Sequence, residues 1–547
     1  MNSPDPIWTI HATLTAKGFT YIGPPATYQG PIKVHGKTVT IEAAFSDLSF
    51  ATLPVVRLVD GAALGERQIA HLLVGGGICY TDEGGLVLDL YDPGGAALRV
   101  LNEAAKALER SFGARSRHEF DNELAAYWRG RYFYSAMQLP SSPAIVAADI
   151  VKLGTGKPSG LVLVARDAWQ AKGNTREQAT VLVFDRPLRH AEGFPPERLD
   201  QAIAYIAGQE KPPPGWQAAV LDASARLEDI LLAAPNAIVG WRSRLTGTLA
   251  LIHAKPKGFR PNFLRASLAS RTKEVMLKHE SATKADLRFC VGRNLDGRTG
   301  LIGKRVALIG CGTIGGYLAH LLVQNGAGCD APLTLYDPDT LKPGNLGRHV
   351  LGFGDLARPK AEALAAFVQG FHPDVDVTYR QGNALADWDA LARCDLIIDA
   401  TGDANVSTAL NDPYLRARMD GQQLALLHAW VFGNGVAGQS FLNLGDGLAC
   451  YRCLRAGFGG QWRYNPMRDP DAEVRRAPAH CGEGGYVPFP SDAPVAAAAL
   501  AVRAAVDWAG GEPGHRMRTT IVDPVHGRDR LAWVSPDPLA QCAACSG

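Results

Sequence analysis

Two cysteine pairs at one spacing constrain this chain more than any other feature. Cys450 and Cys453 stand in Cys-Tyr-Arg-Cys, and Cys542 and Cys545 stand in Cys-Ala-Ala-Cys near the end of the 547-residue sequence. Each C-x-x-C bends tightly enough for both sulfurs to face one ion, so the set predicts a single tetrahedral Zn2+. Four thiolates leave no open position for water, which makes the expected role structural. The ion would tie the last residues back to a much earlier segment.

Upstream of that segment lies a glycine-rich turn, Gly310-Cys-Gly-Thr-Ile-Gly315. An apolar strand, Val306–Ile309, leads into it and a helix to about Asn325 leaves it. Gly310, Gly312 and Gly315 therefore let backbone N–H groups and the positive end of a helix approach a phosphate closely. A second strand, Leu333–Tyr336, ends at Asp337, whose carboxylate can accept hydrogen bonds from ribose hydroxyls. A dinucleotide dehydrogenase fits these residues equally well.

The following stretch separates the two readings. Asn345 and Arg348, in Lys342-Pro-Gly-Asn345-Leu-Gly-Arg348, and then Lys360 supply three donors that can converge on a triphosphate, for which a dehydrogenase has little use. A further strand, 395–400, carries Asp399 and is followed by Asp403 in Asp-Ala-Thr-Gly-Asp, carboxylates suited to Mg2+ on phosphate oxygens. The alternation of strands and helices from Lys304 onward predicts an α/β, Rossmann-like, doubly wound sheet.

With the zinc cysteines, these ordered motifs make residues 285–547 resemble the ubiquitin-activating superfamily, including the bacterial ThiF- and MoeB-type proteins that adenylate sulfur carriers. The resemblance implies ATP-dependent adenylation of a partner protein's C-terminal carboxylate. It places Asp337 on the ribose, Asn345, Arg348 and Lys360 on the phosphates, and Asp403 on Mg2+. Asp399 is the fallback ligand, because Gly402 shifts the usual Thr-Asp-Asn spacing by one. It also implies a homodimer through the adenylation domain and an arginine from upstream of the glycine turn, Arg293 or Arg288. Cys481, in Ala479-His480-Cys481-Gly-Glu-Gly-Gly, lies where the superfamily often places its transfer cysteine. Small neighbours suit exposure, and His480 can raise its thiolate fraction.

Residues 1–135 read as an α+β unit. Strand-like runs at 32–34, 38–43 and 54–58 form an antiparallel meander, an extended Leu86-Val-Leu-Asp-Leu follows, and Asp92 caps a helix reaching about Arg110. Cys79 follows His71 and Gly75-Gly-Gly-Ile, and the arrangement resembles the active-site region of ubiquitin-conjugating enzymes. The His-Pro-Asn tripeptide of the eukaryotic family is absent, and only His71 remains. Residues 136–284 read as an α/β linker domain with strands at 160–165, 179–184 and 248–253. Its Gly154-Thr-Gly-Lys157 segment fails the phosphate-loop spacing, so a surface loop is expected.

The order conjugating-like domain, linker, activating domain resembles the fusion proteins of CBASS anti-phage operons, which ligate the C-terminus of a cyclic-nucleotide synthase to other proteins. Related operons use a ubiquitin-like modifier instead. The expected chemistry is a relay: adenylation, thioester formation on Cys481, transfer to Cys79 and delivery to a target amine. A sulfur-carrier activator without conjugation and a non-catalytic scaffold are the alternatives. The net charge of +2, spread over 56 basic and 54 acidic residues, offers no footprint for nucleic acid. With no signal-like segment and no apolar run long enough to span a membrane, a cytoplasmic protein is expected. In that reducing compartment Cys290, Cys311, Cys329 and Cys394 read as packing residues.

Overall fold

The N-terminal meander forms because its apolar residues alternate, so one face of each strand can be buried while the other stays wet. In a computed structural model it is a four-stranded antiparallel sheet of β1 (Thr20–Gly23), β2 (Thr27–Val34), β3 (Lys37–Ala44) and β4 (Val55–Asp60). Val34, Ile41, Ala43 and Val56 pack there with Ile10 and Leu14 of helix Pro6–Thr15 and with Val100, Ala104 and Leu108 of helix Pro93–Arg110. Asp92 starts the second helix by accepting the Gly95 N–H at 2.9 Å. Residues 86–90 form no strand, which corrects the strand-like segment expected there.

The structure describes residues 5–60, 70–73, 75–81, 85–111, 120–121, 123–128, 130–153, 160–166, 176–191, 194–254, 261–456, 461–478, 486–529 and 531–545. The chain divides into two compact units, Met1–Ala285 and Asp286–Gly547. The phosphate-loop look-alike at 154–157 lies outside the described residues.

The remainder of the first unit is a closed seven-stranded barrel, more specific than the α/β linker expected. Its strands are β5 (Arg131–Ser135), β6 (Ala144–Leu153), β7 (Gly160–Ala165), β8 (Arg176–Val183), β9 (Asp229–Ala233), β10 (Ile238–Leu245) and β11 (Val275–Lys284). Strand β5, placed by the sequence at the end of the conjugating-like domain, pairs in parallel with β11 and belongs to the barrel. Residues 248–253, expected as a strand, lie in helix Gly247–His253, where the Glu274 carboxylate accepts the Leu249 N–H at 3.1 Å and so satisfies a first-turn donor. Inside the barrel, Arg131 and Arg242 bind Glu177 and Asp229, and Arg131 also binds Glu280. Burial pushes the Glu280 carboxyl up to about 8.

The second unit has a seven-stranded sheet ordered β14-β13-β12-β15-β16-β17-β18. These are β12 (Val306–Ile309), β13 (Leu333–Tyr336), β14 (Val377–Arg380), β15 (Leu396–Asp399), β16 (Ala425–Phe432), β17 (Ala437–Asn443) and β18 (Met517–Ile521). Pairing is parallel from β14 through β16 and antiparallel from β16 to β18. Every residue of β12 and β15 is buried, as strands covered on both faces require. Because β13 and β15 flank β12, the strand order reverses at β12, and the crevice beyond its carboxyl end is where such sheets bind ligands.

Candidate functional site

The glycine turn sits in that crevice, and each of its three glycines answers a different need. Gly310 has φ +90°, and a Cβ there would meet the Thr401 backbone at 2.9 Å. At Gly315 a Cβ would stand 1.8 Å from the Gly310 carbonyl oxygen, whereas at Gly312 it would meet nothing within 4 Å. Gly310 and Gly315 are therefore demanded by packing, while Gly312, which caps helix Thr313–Gln324, keeps the space above the turn open. Gly315→Ala should lower unfolding free energy by roughly 2–3 kcal/mol, the scale of forced overpacking. Gly312→Ala should leave stability within about 0.5 kcal/mol and weaken nucleotide binding. Denaturant titration alongside nucleotide titration checks the pair.

A cavity of about 780 Å3 opens over the turn and is lined by Gly310, Gly312, Asp337, Asn345, Arg348, Lys360 and Asp403. Asp337 is 6 % exposed, and its carboxylate accepts the Cys311 N–H at 2.7 Å and the Asp339 N–H at 2.8 Å. Burial pushes its pKa upward, opposed by those amides and by the charge of Lys360. The Lys360 ammonium donates to Asp339 Oδ2 at 2.9 Å. Asn345 turns its carbonyl oxygen to the Lys342 N–H at 3.0 Å. Arg348 makes no ion pair among the described residues; its guanidinium lies 4.9 Å from the ring centre of Phe489 and 5.6 Å from that of Tyr486.

The two candidate Mg2+ carboxylates differ sharply. Asp403 lines the cavity and caps helix Ala404–Met419 through Oδ1, which accepts the Asn405 and Val406 N–H groups at 2.7 and 3.2 Å. Asp399 is 1 % exposed and lies outside the cavity lining. Its oxygens accept from Thr401, from the Ser407 hydroxyl and from His428 Nδ1. Although burial raises its pKa, these donors hold the Asp399 carboxyl below the usual range. Its visible task is architectural: Thr401 Oγ1 donates to Asp399 and accepts the Asp403 N–H, so the buried carboxylate shapes the loop that presents Asp403.

Two histidines escaped the sequence reading. His428 braces Asp399, and His349 sends Nε2 to the Cys311 carbonyl at 2.8 Å, clamping the glycine turn from below. Burial pushes the His349 pKa down, which favours the neutral ring. Neither belongs to a local motif; only adjacency to Arg348 hinted at His349. Arg288 pairs with Asp330 at 2.6 Å, Arg293 is exposed, and neither lines the cavity.

The four cysteine sulfurs lie within 4.8 Å of one another. Cys450 is 3.8 Å from both Cys453 and Cys542, and Cys453 is 3.5 Å from Cys545. Tetrahedral Zn–S bonds of about 2.3 Å place sulfurs about 3.8 Å apart, whereas a disulfide needs about 2.05 Å. The Leu539 N–H also donates to the Cys453 sulfur at 3.4 Å. Four thiolates this close repel one another, so an electropositive centre is needed for these groups to ionise together.

Cys481 and its neighbour His480 lie outside the described residues. Cys79 is exposed at the end of a small hairpin in which Leu72 pairs with Ile78 and the Cys79 N–H donates to the His71 carbonyl at 2.8 Å.

Comparison with known proteins agrees with both halves. Residues 292–525 match the ThiF family, and residues 12–132 match Prokaryotic E2 family B. Across 100% of both chains, the sequence is 30% identical to the ATP-dependent ubiquitin transferase-like protein Cap2 of Pseudomonas aeruginosa. The chain belongs to the Cap2 family. Cap2 of Escherichia coli (strain TW11681) matches at 37% identity over 33% of this chain and 31% of its own. The SAMP-activating enzyme E1 of Haloferax volcanii matches at 32% identity over 29% of this chain and 56% of its own. As a Cap2 relative with ThiF and E2-like domains, the chain is an ATP-dependent activating and conjugating enzyme. Among the described residues, no helix is long and apolar enough to cross a membrane.

Proposed function

We propose that the protein activates the C-terminal carboxylate of a partner protein, carries it as a thioester first on Cys481 and then on Cys79, and delivers it to a target amine. The observation that supports this reading is the cavity itself, which is lined by the glycine turn, the Asp337 carboxylate and the side chains of Asn345, Arg348 and Lys360. In the first step a carboxylate oxygen attacks the α-phosphorus of ATP and pyrophosphate leaves. Asp337 accepts from the ribose, and Arg348, Lys360 and Asn345 meet the charge that grows on the phosphate tail. Mg2+, when held at Asp403, supplies further neutralisation of that tail.

The Cys481 thiolate then attacks the acyl carbon and AMP leaves; Cys79 next takes the acyl group with release of the Cys481 sulfur. Carrying both cysteines on one chain replaces a diffusional encounter with a high effective concentration. Zn2+ at Cys450, Cys453, Cys542 and Cys545 has a structural role. The partner is a cyclic-nucleotide synthase or a ubiquitin-like modifier, the setting is CBASS-type anti-phage defence in the cytoplasm, and the working form is a homodimer.

Trapping the intermediates tests the order. Cys481→Ala should abolish both DTT-sensitive adducts while leaving ATP–pyrophosphate exchange intact. Cys79→Ala should retain the adduct on Cys481 and form no conjugates. Non-reducing gels with mass spectrometry of the adducts read both outcomes, and normal conjugation by the Cys79 variant would contradict the relay.

A further inference from the structure

We infer that His71 and Glu123 serve Cys79 as an imidazole and carboxylate that strip its thiol proton, forming a nucleophilic triad within the conjugating-like domain. The inference rests on the reading of Cys79 as acyl acceptor and supplies the activating groups that reading lacks. Attack on a thioester needs the Cys79 thiolate, so a group that takes its proton is required.

The hairpin register supplies the proximity. Leu72 opposes Ile78, Leu73 N–H donates to the Gly77 carbonyl and Cys79 N–H donates to the His71 carbonyl, which makes His71 and Cys79 cross-strand neighbours. The Cys79 N–H bond to the His71 carbonyl keeps the two residues adjacent, and the charges of Glu123 and Cys79 both act on the Tyr127 hydroxyl beside them. His71 adopts φ +62°, an uncommon conformation for a residue with a side chain, and two contacts with Glu123 hold it there. Its backbone N–H donates to Glu123 Oε2 at 3.2 Å, and its ring Nδ1 lies 2.8 Å from Glu123 Oε1.

That second contact fixes the chemistry. A carboxylate only accepts, so Nδ1 carries a hydrogen and, in the neutral ring, Nε2 is left as the base. Tyr127 steadies the carboxylate by donating its hydroxyl to Glu123 Oε2 at 3.1 Å, while its ring stacks on Phe120 at 4.3 Å. Burial raises the Glu123 pKa, but the hydrogen bond and charge of His71 outweigh it and keep the carboxyl below its usual range. Ionisable groups near His71 include Glu123 and Tyr127, with Cys79 across the hairpin and Arg57 contributed by β4 where it bridges to Gly77. Tyr127 is pushed upward by burial and stays neutral.

In the transfer step the Cys79 proton passes to His71 Nε2 and the Cys79 sulfur attacks the thioester carbonyl carbon. A new S–C bond forms, the donor's S–C bond breaks with its electron pair on the donor sulfur, and that sulfur takes up a proton. His71 acts on the reacting atoms; Glu123 is a positioning residue.

Alkylation of the full-length protein by iodoacetamide, followed peptide by peptide across pH, reads the state of Cys79 without any modifier. Wild-type Cys79 should react with an inflection well below the pH of about 8.5 expected for a free thiol. His71→Asn should remove that low-pH limb and slow alkylation at pH 6.5 by on the order of 10-fold or more, with Glu123→Gln intermediate and Glu123→Asp restoring most of it. The Cys290 peptide should keep its wild-type profile in every variant. Identical Cys79 profiles in wild type, His71→Asn and the near-isosteric Glu123→Gln would overturn the triad. Loss of conjugates in Cys79→Ala alongside such unchanged profiles would leave the acceptor reading standing, whereas persistent conjugates in Cys79→Ala would remove the acceptor reading itself.

Discussion

Lys360→Ala is expected to cut ATP–pyrophosphate exchange by on the order of 10²–10³ while leaving the thermal midpoint close to wild type. The two effects separate because the lysine is held differently from its partner. Its side chain is 11% exposed and points its ammonium into the cavity region beside Asp339, whose side chain is 63% exposed. An ion pair with one partner that wet contributes about 0–1 kcal/mol to folding, and buried Asp337, which also loses the Lys360 charge, keeps the N–H groups of Cys311 and Asp339 as donors. The cost to chemistry is larger, since a fixed cation aimed at developing charge in a partly dry site contributes about 3–4 kcal/mol. Arg348→Ala should lose exchange similarly. Because its guanidinium also covers Phe489 and Tyr486, that variant should lose some stability as well. Exchange rates and melting curves on the same preparations distinguish the two.

Stripping metal is expected to have the largest effect on stability. Cys450 and Cys453 are buried at 1% and 0%, Cys542 at 5%, and they pack with Trp430, Phe441, Tyr451 and Met517. Without a cation, four thiols crowd a site that gives them one another as neighbours. Cys453→Ser should lower stability of the second unit by roughly 3–5 kcal/mol, a fraction of the 10–16 kcal/mol that structural zinc supplies in small domains. Metal analysis should find one zinc per chain in the wild type and well under one in the variant. Chelation should lower the unfolding transition of Asp286–Gly547 more than that of Met1–Ala285. Wild-type stability in fully metal-free protein would exclude a structural ion.

The parts of this molecule legible from sequence are those whose determinants are local. Val306–Ile309 is a continuous apolar strand run straight into its glycine turn, and each C-x-x-C pair announces its ligands without reference to the rest of the chain. The barrel was illegible because β5 is a short Arg-Tyr-Phe-Tyr-Ser strand whose partner, β11, begins at Val275; no local pattern encodes a parallel pairing over that separation. Residues 248–253 are apolar enough to suggest a strand, yet in helix Gly247–His253 Leu249 is buried while Leu251 is 71% exposed. The same distinction runs through the sites. The sequence ranks Asp403 first and keeps Asp399 as the fallback, and only the tertiary contacts of Ser407 and His428 show that Asp399 is consumed internally. Glu123 carried no signal at all, since its meaning arises from a histidine more than fifty residues earlier.

The central claim is that a triphosphate lies against Gly310–Gly315 with its tail among Arg348, Lys360 and Asn345. A structure of the full chain with Mg2+ and a non-hydrolysable ATP analogue tests it most directly. The account predicts ribose hydroxyls on Asp337, the metal at Asp403 rather than Asp399, and Lys360 turned from Asp339 toward the phosphates. Nucleotide bound elsewhere, or a phosphate tail that leaves Arg348 and Lys360 without contact, would contradict it.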